Sequence, residues 1–196
     1  MGHSPENTIA SFQKALDLAC DEVETDVWLT QDGRLVISHD RPTAKTTLSL
    51  DEVLDFCRGR MAVNVEMKSE KDEARARETG AAVGARLATR GKDVYVSSFW
   101  WSALEAARAA APAVRRAFVY SDSPDRAALF ASARALELWA LHPERTYVTQ
   151  DLIRAAYAAS LRVNTWTVND AKEIATFRNW SVDGIMSDFP ERVPKE

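Results

Sequence analysis

Three short pieces near the front of the chain gather the residue types that do chemistry: Glu24-Thr25-Asp26, His39-Asp40 and Glu66-Met67-Lys68. Each lies in or just after an apolar run that reads as a β-strand. Side chains two apart on a strand share a face, so Glu24 and Asp26 stand side by side. Neighbouring carboxylates repel unless a cation lies between them or one takes up a proton. Glu66, on another strand, is a natural third oxygen, and a set of hard oxygen ligands suits one divalent cation, Mg²⁺ or Ca²⁺. A lone Glu-x-Asp is more often a pair that caps a helix or meets an arginine. Glu66-x-Lys68 and His39 move the balance towards a cation site.

The elements that must position these residues follow from periodicity. Ser4 and Pro5 predict a helix N-cap and first helical position, with Ile9, Phe12, Leu16 and Ala19 at helical spacing behind them. Residues 22–29 alternate as a strand, Thr30-Gln31-Asp32-Gly33 turns, and 34–38 form a short second strand. A helix to Cys57, a strand over 61–66 and an alanine-rich helix over 70–88 come next. The same rhythm continues: strands at 94–97, 116–120, 136–140, 162–168 and 184–187, helices at 102–110, 124–133, 150–159 and 170–177. Strands alternating with helices imply parallel strands joined by right-handed crossovers. No strand is followed by Gly-x-Gly-x-x-Gly or a Walker loop, which argues against a doubly wound nucleotide-binding sheet. The chemical residues lie at strand C-terminal ends, where a TIM (β/α)₈ barrel keeps its site. The count is seven core strands, one short of that barrel.

Bulk properties bound the function. The chain has 196 residues, 46% of them hydrophobic and 28% charged, enough for one core and with no linker marking a second domain. A net charge of -4 offers no support for nucleic-acid binding. Cys20 and Cys57 are too sparse for a disulfide framework. No stretch has the length of a membrane span and no signal peptide is visible, so a cytoplasmic location is the expectation.

Taken together, these pieces resemble the glycerophosphodiester phosphodiesterases, metal-dependent barrel enzymes that cleave phosphodiesters of glycerol. Pro5-Glu6-Asn7-Thr8, Glu24-x-Asp26, His39-Asp40 and Glu66-x-Lys68 follow the family's order and spacing. The back half is similar too, through Leu141-His142-Pro143, Trp166-Thr167-Val168-Asn169-Asp170 and Ser187-Asp188-Phe189-Pro190. The resemblance spans residues 1–196 as one barrel domain, and it implies hydrolysis of a small-molecule glycerophosphodiester to an alcohol and glycerol phosphate. Two departures stand out. The family's first strand and its His-Arg pair belong upstream of Pro5, so the barrel is expected to lack or truncate that strand. The segment from Arg41 to Ser49 is far shorter than the family's usual cap insertion.

The resemblance also implies roles. Glu24, Asp26 and Glu66 would hold the cation, Lys68 would contact the phosphate, and His39 would protonate the leaving alcohol. His3 is the weaker candidate for the family's second histidine. Trp166 would wall the pocket against glycerol, and Glu6 and Asn7 would support the ligands from behind. Two rival expectations remain: a relative that binds metal and phosphate with little turnover, and a lysophospholipase D-like enzyme acting on lipid phosphodiesters. The unpaired edges left by a missing strand could be closed by a second copy in a homo-oligomer.

Overall fold

A computed structural model describes residues 2–70 and 72–194. Strands and helices alternate along these residues, which fall into two compact units. The first, Ser4–Arg116, contains α1 (Ile9–Asp17), β1 (Glu22–Leu29), β2 (Leu35–Ile37), α2 (Leu50–Cys57), β3 (Ala62–Met67), α3 (Glu73–Leu87), β4 (Val94–Ser98) and α4 (Trp101–Ala110). The second starts at Ala117, within β5 (Arg116–Tyr120), and takes in Gly2 and His3. It continues through α5 (Arg126–Ala135), β6 (Ala140–Pro143), α6 (Gln150–Ala158), β7 (Arg162–Thr165), α7 (Ala171–Asn179) and β8 (Gly184–Ile185).

In the first unit β1 pairs in parallel with β3, and β3 with β4, while β2 folds back antiparallel on β1. In the second unit β5, β6, β7 and β8 pair in parallel in that order. Among the described residues this gives the seven parallel strands predicted, with the short excursion after β1 standing apart as β2. Period-two alternation sorts the first unit's strands by face. Val27, Val63, Val65 and Val96 are fully buried in the apolar core, and α3 packs against β1 and β3. The opposite face carries Glu24 and Asp26 on β1, Asn64 and Glu66 on β3, and Ser97 on β4. One sheet thus separates a packed face from a chemical one.

Helix starts are fixed by side-chain caps. Thr8 caps α1 and Ser49 caps α2, each in a reciprocal capping box, and Asp72, Asp125, Thr149 and Asp170 cap α3, α5, α6 and α7. Helices α3 and α4 approach closely at Gly80, where a Cβ would lie 2.1 Å from the Ala103 carbonyl oxygen. Only glycine allows that contact.

Several expected boundaries shift. The first helix starts at Ile9 rather than Pro5, because Asn7 adopts a left-handed backbone (φ 54°) and Thr8 takes the cap. The strand predicted over 136–140 begins at Ala140: α5 runs on to Ala135, and the chain then turns through Glu137 at φ 49°. The strand predicted over 162–168 stops at Thr165, leaving Trp166 just past its end. The alanine-rich helix starts at Glu73; Lys71, within its expected first turn, lies outside the described residues. No helix among the described residues is long and apolar enough to cross a membrane.

Candidate metal and phosphodiester site

Register builds the site. Asp26 on β1 lies opposite Glu66 on β3, and Glu24 lies opposite Asn64 one pleat earlier. The parallel pairing therefore brings Glu24, Asp26 and Glu66 to one face, with one oxygen from each within 4.8 Å of the others. Asp26 is buried, Glu66 partly buried, and Glu24 faces open space. All three donors are carboxylate oxygens, with no sulfur or nitrogen among them, which fits Mg²⁺ or Ca²⁺.

The electrostatics demand positive charge. Desolvation, then repulsion from Asp26 and Glu66, pushes the Glu24 carboxyl well above its ordinary range. Because Glu24 is open to solvent on one side, like-charge crowding is the stronger of these two causes. Glu66 is also raised, by burial first, against the opposing pull of Lys68. A divalent cation would relieve this crowding without protonating either acid. Lys68 supplies part of the compensation: its Nζ lies 2.6 Å from Glu66 Oε1 and 2.9 Å from Asp26 Oδ1. Burial opposes its charge, yet the two carboxylates hold the ammonium well above its ordinary value.

Asn7 holds Asp26 from the other side. Its Nδ2 donates to Asp26 Oδ2 at 2.8 Å, and its Oδ1 accepts from Thr25 Oγ1 (2.8 Å) and the Asp26 backbone N–H (3.1 Å). The Asp26 carbonyl in turn accepts the Ser38 N–H, which draws the His39 segment to the end of β1. His39 places Nδ1 3.0 Å from Asp40 Oδ1, leaving Nε2 as the nitrogen available for proton transfer. A cavity of about 350 Å³ opens here, lined by Glu6, Asn7, His39, Asp40 and the short loop at Thr46 and Thr47. Glu6 adds its negative charge to the field at Glu24.

The structure thus brings together five of the residues picked from sequence, Glu24, Asp26, Glu66, Lys68 and Asn7, with the charges of His39 and Glu6 acting on the acids. His3 and Trp166 belong to the second unit. His3 Nε2 lies 3.1 Å from Glu191 Oε2, and its ring meets Phe189 edge-on. Trp166 Nε1 donates to the His142 carbonyl at 2.8 Å. His142 is itself buried beside Asn164, and desolvation pushes its imidazole down to about 3, so it stays neutral.

Two site neighbours escaped the sequence reading. Asn64 and Ser97 are buried on the chemical face, beside Glu24 and Glu66 by register, and Asn64 Oδ1 and Ser97 Oγ have no protein hydrogen-bond partner. Such buried polar atoms need water or a ligand to satisfy them. Period-two spacing from Glu66 marks Asn64; nothing local marks Ser97, whose place depends on pairing between distant strands.

The model of the glycerophosphoryl diester phosphodiesterase family matches residues 1–60 and 43–192. A glycerophosphodiester phosphodiesterase of Bacillus altitudinis is 26% identical, covering 99% of this chain and 93% of the relative. One of Caldanaerobacter subterraneus subsp. tengcongensis is also 26% identical, covering 95% and 90%. A phosphodiesterase of Oleispira antarctica, solved with its product sn-glycerol-3-phosphate, has a TM-score of 0.86 at 25% identity, over 98% of this chain and 91% of that one. The α/β barrel class predicted from the strand–helix alternation is the fold these proteins share.

Proposed function

The chain belongs to the glycerophosphoryl diester phosphodiesterase family, and on that premise we propose that it hydrolyses glycerophosphodiesters to an alcohol and glycerol phosphate with one divalent cation. The observation that carries this reading is the convergence of Glu24, Asp26 and Glu66, backed by Lys68, on one face of two paired strands. When bound there, a cation acts as a Lewis acid on the phosphoryl oxygens. Glu24, Asp26 and Glu66 hold it; the set favours Mg²⁺ or Ca²⁺ without choosing between them.

Lys68 stands beside two of these acids and offers its ammonium to a phosphate oxygen, adding positive charge where negative charge develops. His39, oriented through Nδ1 by Asp40, gives the proton at Nε2 to the leaving alcohol. Glu6 and Asn7 support the ligands, and the family resemblance assigns Trp166 a contact with the glycerol moiety. His3, whose Nε2 is engaged by Glu191, is the second proton-transfer candidate.

The decisive assay offers glycerophosphocholine to the purified protein with Mg²⁺ or Ca²⁺. Cation-dependent release of choline and glycerol phosphate is expected, lost with chelator. His39→Ala should lower kcat by about 10²–10⁴. A comparable fall in His3→Ala would give the second histidine a catalytic share, and Trp166→Ala should act mainly on KM. Turnover indifferent to chelator and to Glu24→Gln would sink the proposal.

A further inference from the structure

The clamp on Asp26 occurs twice. In the second unit Asn169 Nδ2 donates to Asp188 Oδ2 at 2.7 Å, and Asn169 Oδ1 accepts from Ser187 Oγ (3.1 Å) and the Asp188 backbone N–H (2.9 Å). Atom for atom, these are the bonds Asn7 makes to Thr25 and Asp26. The spacing repeats as well, since asparagine and aspartate stand 19 positions apart in both copies.

The segments between them match without a gap. Thr8 and Asp170 are the N-caps that follow the two asparagines, and α1 and α7 each run for 9 residues. Leu18 and Trp180 close these helices, and Ala19 (φ 52°) and Ser181 (φ 62°) make the left-handed exit turn. One helix–turn–strand device has therefore been built twice. The copies differ in what the clamped aspartate accompanies. In the first copy Glu24 stands two residues before Asp26; in the second that place is taken by Met186.

From this comparison we infer that Asn7 is a positioning residue for the cation site: it fixes the rotation of the Asp26 carboxylate so that its oxygens meet the cation together with Glu24 and Glu66. The inference rests on the proposed function, and deepens it. The terminal torsion of an aspartate is broad and two-fold, so an unrestrained carboxylate must be ordered when a cation binds. Asn7 does this beforehand. Its Oδ1 is pinned by two donors, its Nδ2 donates to one oxygen of Asp26, and the other oxygen meets the Lys68 ammonium at 2.9 Å. Partners of this kind, one step removed from the metal, typically change its affinity by about 10–100-fold. Asn169 makes the same bonds where no second carboxylate precedes the aspartate, so it carries the structural share of the clamp alone.

The test measures cation binding rather than turnover. Mg²⁺ and Ca²⁺ are titrated by calorimetry into the parent protein, Asn7→Gly and Asn169→Gly, with thermal midpoints recorded in parallel. Glycine suits position 7 because the backbone there is left-handed. Both variants should melt lower, but only Asn7→Gly should bind the cations about 10–100-fold more weakly. Parent-like affinity in Asn7→Gly, or an equal loss in Asn169→Gly, would overturn the inference while leaving the proposed function standing. A parent protein that binds neither cation would overturn both. If Asn7→Gly does not fold, Thr25→Val removes one anchoring hydroxyl at constant shape. It should weaken binding in the same direction, and unchanged affinity would count against the clamp.

Discussion

Each carboxylate of the triad depends on its neighbours for its charge state. Glu24 is raised by desolvation and by crowding against Asp26 and Glu66, and Glu66 by burial first and then by Asp26, with Lys68 as the countercharge that opposes both. Neutralising one of them removes a ligand and part of the repulsion together. Glu24→Gln or Glu66→Gln should therefore leave the fold as stable as before, or more so, while lowering kcat/KM by at least about 10²-fold. Steady-state kinetics beside a thermal melt separates these two effects. His142 gives a prediction of opposite character. It is neutral in the folded chain, at about 3 against an ordinary 6.5, so the unfolded chain binds the extra proton between those values. Stability should then fall as pH drops below about 6.5, by up to about 1.4 kcal/mol per unit, and His142→Gln should flatten that slope in denaturant titrations.

Among the elements, close helix packing sets the tightest constraint. At Gly80 of α3 an added Cβ would meet the Ala103 carbonyl at 2.1 Å, whereas at Gly84 the nearest contact is 2.9 Å. Backbone cannot rotate away as a side chain can. Gly80→Ala should lower stability by about 2–3 kcal/mol despite alanine's better helix propensity, and Gly84→Ala by clearly less. Urea unfolding of the two variants reads the difference. The elements were largely legible from periodicity: β1, α2, β5 and α6 fall within a residue of their expected limits. Boundaries failed where a side chain had other work. Pro5 after Ser4 reads as a helix start, but Asn7 is drawn to Asp26 and delays the helix. The apolar run at 136–140 reads as a strand, yet its first part is spent leaving α5.

At the scale of the molecule, cation binding and folding are linked. A cation held by three folded-state carboxylates has no comparable site in the unfolded chain, so at 100 times its Kd it should add about 2.7 kcal/mol to stability. Mg²⁺ or Ca²⁺ should raise the thermal midpoint, chelator should reverse the rise, and Glu66→Gln should abolish it. We propose that the two compact units work as one barrel domain, as the family match along the chain suggests. Calorimetry should then show a single cooperative transition, and two resolved transitions would assign the units separate stability. The sequence by itself determined the ligand types, the alternation of strands and helices and the order of the motifs, because these are written in local spacing. Only the tertiary structure decided which residues meet. The register of β1 on β3 puts Asp26 opposite Glu66, Lys68 turns onto both acids, and Asn7 reaches across α1 to clamp Asp26. The meeting of Asp26 with Glu66, Lys68 and Asn7 brings together segments far apart in the chain, where local spacing carries no information.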